Sequence, residues 1–136
     1  MRKPKFILGW FLVTLIFSCN KGSNQVTDDN SSLLGKWILV ESLADPGDGS
    51  GKWTAVDRQN YYYLTLNTDS TIETNCFTGL GGAKKFRVVN NSVMNFIYAN
   101  GQTILYHYLL DNSSLTITGG CIEACGSKFV RTKRSL

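Results

Sequence analysis

The residues best equipped for chemistry in this chain are few: four cysteines, one histidine and a short acidic, glycine-rich stretch. His107 falls within an alternating run, on the opposite face from Tyr106 and Tyr108, so it reads as an exposed or half-buried strand residue. No serine is placed beside it, and no paired-carboxylate, Gly-x-Ser-x-Gly or His-Glu-x-x-His arrangement occurs. The chain is therefore read as non-enzymatic, with no catalytic residue and no cofactor. Asp45, Asp48 and Ser50 are hard oxygen donors for calcium, but their spacing is not that of an EF-hand loop. Gly and Asp are ordinary turn formers, so 45–51 is read as a loop at a barrel mouth. Cys76, Cys121, Cys125 and His107 make four candidate zinc ligands, in no common zinc spacing. In an exported chain disulfides compete for those thiols. Cys121 and Cys125 close a loop of low entropic cost, so that bridge is expected and Cys76 is left free. Cys76 paired with either of the others is the alternative.

Export is expected from the first residues. Arg2, Lys3 and Lys5 precede an uncharged run from Phe6 to Ser18, the pattern of a secretory signal. Its apolar core, Ile7 to Phe17, falls well short of the roughly 20 residues that span a bilayer. The run Leu15-Ile16-Phe17-Ser18-Cys19 resembles the lipobox of bacterial lipoproteins, with Ile16 and Ser18 in place and Phe17 bulkier than usual. The resemblance implies cleavage after residue 18, diacylglycerol on the Cys19 thiol and acylation of the new amine. Two or more chains anchor stably where one binds marginally. Asn20, rather than Asp, follows the cysteine, and by the same resemblance the outer membrane is the expected destination.

The leader holds three of the 14 basic residues and none of the 10 acidic ones, so the remainder carries a side-chain charge of +1. A nucleic-acid role needs a basic stripe. The largest cluster is Lys128, Arg131, Lys133 and Arg134, read as solvated surface that also discourages edge pairing. Residues 19–32 are polar, with almost nothing to bury, and are expected to form a flexible tether. Residues 33–136 are enough for one domain with one core.

No 3.6-residue apolar period follows the leader. Short β-branched and aromatic runs are instead broken by turn residues, which predicts an all-β sandwich or barrel. Strands are expected at 36–43, 53–57, 61–67, 71–77, 84–89, 93–98, 102–110, 115–118 and 128–133, the second of them short. Asn100-Gly101 predicts a type I′ hairpin. About eight antiparallel strands in up-and-down order point to a barrel, closed or partly open, with room inside for side chains or one small ligand.

Gly35-Lys36-Trp37 resembles the Gly-x-Trp motif of lipocalins, and more closely the lipocalin-like domains of small bacterial envelope lipoproteins. The 45–53 stretch and the Cys121-to-Arg131 ending add to that likeness, which covers 33–133. In the family the tryptophan closes one barrel end and a late arginine packs on its ring, which implies that role for Gly35, Trp37 and Arg131 here. The family also implies binding or carriage of a small apolar or amphipathic molecule.

Strand parity then nominates an interior. Trp37, Leu39 and Glu41 share one face, as do Tyr62, Leu64 and Leu66; Met94, Phe96 and Tyr98; and Ile104, Tyr106, Tyr108 and Leu110. From these, Glu41, Tyr62, Leu64, Leu66, Phe96, Tyr98, Tyr106 and Tyr108 are the candidate ligand-binding set, with Glu41 near the open end. The competing reading is a barrel whose side chains fill it, working as an interaction module through loops 44–52 and 77–83.

Overall fold

The computed structural model describes residues 33–132. The signal sequence, Cys19, the tether, Lys133 and Arg134 lie outside the described residues. Nine antiparallel strands form one sheet: β1 (Gly35–Ala44), β2 (Lys52–Ala55), β3 (Tyr63–Leu66), β4 (Ile72–Thr74), β5 (Ala83–Asn90), β6 (Val93–Tyr98), β7 (Thr103–Asp111), β8 (Ser114–Thr118) and β9 (Cys125–Arg131). Eight of them follow the order β4-β3-β1-β9-β8-β7-β6-β5, and β2 pairs with β1 outside that path. A bridge from Thr71 to Lys85 and a bond from Phe86 N–H to the Ser70 carbonyl (3.0 Å) link the two ends. The result is the nearly closed all-β barrel expected from the strand pattern.

β1 organises the wall. Its first half pairs with β3 through Gly35–Leu66 and Trp37–Leu64, and its second half with β2 through Glu41–Ala55 and Leu43–Trp53. Its other edge runs along β9. Leu39 faces Phe129 and Glu41 faces Lys128, two residues against one, so Val40 is the extra residue of a β-bulge.

The bulge inverts the alternation beyond it, and it corrects the reading of Glu41. Trp37 and Leu39 are buried, but Glu41 turns to the outer face and forms an ion pair with Lys128. Lys128 also sits 5.2 Å from the Trp53 ring, so it is a paired cation and not part of a free basic stripe.

Strand ends differ from the expected ones where turns impose their own geometry. β3 starts at Tyr63 because a 3₁₀ turn at Arg58–Asn60, capped by the Asp57 carboxylate, ends on Tyr61 at φ 44°. β4 stops at Thr74, and β9 begins three residues early, at Cys125. The Asn100-Gly101 hairpin is not type I′, since only Gly101 has positive φ (82°). Gly101 N–H donates to the Tyr98 carbonyl and Tyr98 N–H to the Gln102 carbonyl, each at 2.9 Å, which makes a three-residue loop.

The core fills the middle of the barrel. Trp37, Leu64, Met94, Phe96, Leu115 and Phe129 have no solvent-accessible surface, and Leu39, Leu66 and Ile117 almost none. Fully burying each such side chain stabilises by about 1.5–3 kcal/mol, so this layer carries most of the fold.

Candidate functional site

The two barrel ends differ in kind. At one end, Trp37 Nε1 donates to the Leu33 carbonyl (2.9 Å), and the Arg131 guanidinium lies 4.2 Å from the Trp37 ring centre. Arg131 also donates to the Leu34 carbonyl at 2.8 Å. Gly35 has φ 117°, and a Cβ there would sit 3.3 Å from the guanidinium. Gly35, Trp37 and Arg131 thus come together over this end, beside an open groove of about 790 Å³ lined by Leu34, Gly35, Leu66, Thr68 and Arg131.

The opposite end is built from the loops 45–51, 75–82, 99–102 and 119–124. Here an apolar cavity of about 250 Å³ lies between Ser42, Leu43 and Ala44 on β1, residues 77–80, Tyr106, Ile117 and Ser127. The Cys121–Cys125 disulfide forms part of its wall. The bridge follows the sequence expectation, and it removes two of the four ligands of the zinc alternative. The third thiol, Cys76, is buried and donates to the Tyr63 carbonyl (3.3 Å); burial pushes its pKa up. His107, the fourth, is exposed on β7, on the face away from the core. Among the described residues no cluster could hold a metal ion.

A strap, 75–82, crosses the open end and is pinned from below. The Gly79 carbonyl accepts from the Tyr98 hydroxyl (2.6 Å) and the Tyr106 hydroxyl (3.1 Å), and the two hydroxyls lie 2.9 Å apart. Burial, reinforced by the neighbouring Tyr106 hydroxyl, raises the Tyr98 pKa far above the usual tyrosine value. Tyr98 therefore stays a neutral donor. Leu80 points into the core, whereas Phe77 is largely exposed and Ile122 fully so. The Tyr106 ring also packs on Gly120, where a Cβ would fall 2.4 Å from a ring carbon.

Loop 45–51 is held by its own acid. The Asp45 carboxylate accepts N–H bonds from Gly47 (2.7 Å), Gly49 (3.1 Å) and Gly51 (2.9 Å). These bonds, Gly51's first, hold its carboxyl below the usual carboxylate range. Its lone pairs are spent on the backbone, as suits a turn more than a calcium ligand set.

Of the eight residues nominated for ligand binding, Tyr106 alone lines the cavity. Leu64 and Phe96 are packed into the filled middle layer, and Leu66 is buried beside Gly35 at the opposite end. Tyr108 is buried and donates to the Asn90 carbonyl at 3.0 Å, towards the closed end. Tyr62 stacks edge-on against Phe77 with ring centres 4.9 Å apart, and Tyr98 supports the strap. Glu41 is outside. Ser42, Ala44, Thr78, Leu80, Ile117 and Ser127, which strand parity does not single out, do line the cavity. The bulge hid the first two, and the strap residues lie outside any strand.

Comparison with protein-family models, curated proteins and solved structures finds no match to this chain.

Proposed function

We propose that this chain is a lipid-anchored lipoprotein of the bacterial envelope whose lipocalin-like barrel binds or carries a small apolar or amphipathic molecule at its open end. The observation that carries the binding reading is the 250 Å³ cavity, walled by Leu43, Ala44, Leu80, Ile117 and a disulfide. An engineered dry cavity of about 150 Å³ holds benzene, and pockets for drug-sized ligands begin near 300 Å³. The occupant is thus a one- or two-ring molecule or the end of a chain. The filled middle layer keeps it at the mouth, in contrast to a ligand lying along the barrel axis. Exposed Phe77 on the strap and Ile122 at the disulfide loop give the mouth an apolar rim over which such a molecule would pass. The anchoring reading rests on the leader and the resemblance of 15–19 to a lipobox.

Native mass spectrometry of the exported full chain tests binding. An adduct of small-molecule mass that leaves on denaturation, and that Ala44→Phe abolishes by filling the cavity, is the expected result. A bare mass in both would favour a filled barrel acting through its loops. Metabolic labelling with an alkyne fatty acid tests anchoring, with incorporation expected in the native chain and none in Cys19→Ala.

A further inference from the structure

The chemistry of the cavity wall narrows the ligand class beyond "small and apolar", an inference that rests on the binding reading above. Among the described residues no charged side chain lines the cavity. An ion placed there would lose hydration with no counter-charge to replace it, which disfavours carboxylates and amines. Besides Tyr106, whose hydroxyl is donated to the Gly79 carbonyl, three hydroxyl residues line it. Ser42 and Ser127 are paired across β1 and β9, and Ser127 is buried. The third is Thr78, on the strap. Its Oγ1 is buried without a hydrogen-bond partner, the sole such side-chain atom among the described residues.

A buried hydroxyl left unpaired is costly and is rarely retained without use. The neighbouring strap groups do not help it, because the Gly79 carbonyl is already taken by two tyrosine hydroxyls. We infer that the site takes an uncharged molecule with an apolar body and a single small hydrogen-bonding group, a ketone, aldehyde or alcohol, which pairs with the Thr78 hydroxyl. Oγ1 as placed has no accessible surface, so this pairing requires a rotation about χ1 that exchanges the hydroxyl with the methyl and brings it to the cavity. The apolar wall supplies affinity and the hydroxyl supplies selection, since a site with an unpaired polar group rejects ligands that leave it unpaired.

Three probes of nearly equal size separate the possibilities: acetophenone, neutral with one acceptor; cumene, its hydrocarbon counterpart; and benzoate, the anion. Each is titrated into the exported full chain, and the methyl NMR signals of Leu80 and Ile117 report occupancy. Acetophenone is expected to bind about tenfold more tightly than cumene, the worth of one hydrogen bond to a group otherwise unpaired. Thr78→Val should abolish that preference, and Thr78→Ser should keep it. Benzoate should not bind measurably. Equal affinity for acetophenone and cumene, or a preference that survives Thr78→Val, overturns the ligand-class inference and leaves the cavity reading standing. Tighter binding of benzoate overturns the neutral-ligand claim in the same way. If no probe moves the Leu80 and Ile117 methyls, the binding reading itself fails, and this inference with it.

Discussion

At Gly35 the backbone and the neighbouring side chain impose one requirement. A φ of 117° is rarely adopted by residues with a Cβ, and the Arg131 guanidinium occupies the space where one would project. Arg131 in turn covers Trp37 and reaches the Leu34 carbonyl. A lysine at that position keeps the charge but loses the planar stacking face and the fork of donors. Arg131→Lys is therefore expected to lower unfolding free energy by about 0.5–2 kcal/mol, the range of a guanidinium–indole contact. Urea denaturation followed by tryptophan fluorescence measures it, and an unchanged midpoint would remove Arg131 from the closure of that end.

Among the elements, the loops of the open end show how local polar bonding shapes the cavity rim. Asp45 gathers three glycine N–H groups, and Gly47 and Gly49 both take positive φ, at 99° and 76°. Its carboxyl pKa is depressed from 3.8 in the folded loop. The direction sets the sign: the carboxylate's contribution is complete above the ordinary value and is lost as pH falls through the depressed one. The amide resonances of Gly47, Gly49 and Gly51 are expected to hold steady at neutral pH and to shift together below about pH 4, where an ordinary aspartate takes up its proton. Asp45→Asn should give spectra without that transition. A shift already complete at pH 5 would contradict the assignment. The strap obeys the same logic with tyrosine hydroxyls, and Tyr98 and Tyr106 act as its support more than as ligand contacts.

For the whole molecule, β9 is the strand on which closure depends. It pairs with β1 on one side and β8 on the other, carries Phe129 into the middle layer, and begins at the disulfide that walls the cavity. Truncating a fully buried phenylalanine costs about 3–5 kcal/mol, a large share of the 5–15 kcal/mol typical of a domain. Phe129→Ala is expected to lower the unfolding free energy measured by urea denaturation by that amount while the folded fraction keeps its all-β circular dichroism. A loss below 1 kcal/mol would mean that the middle layer is loosely packed, and would reopen a ligand site along the axis.

The sequence by itself determined the class of fold. Period-two alternation with frequent turn residues allows few solutions other than a closed or nearly closed antiparallel sheet. The Cys-x₃-Cys spacing favoured the disulfide that forms, but only the structure excluded a partner for Cys76. The buried faces of β3, β6 and β7 followed from parity alone, since no bulge interrupts Leu64–Leu66, Met94–Phe96 or Tyr106–Tyr108. What the tertiary structure alone decided was where the empty space lies. One extra residue at Val40 moved Glu41 outside and set Ser42 beside the buried Ser127 at the cavity wall, a register change that leaves no mark in a hydrophobicity pattern. The strap that brings Thr78 and Leu80 to the mouth is loop, where no periodicity applies. The cavity is a residue of packing: it exists because side chains from distant strands leave space between Leu43, Leu80, Ile117 and Ser127, a property of volumes in space that no local spacing encodes.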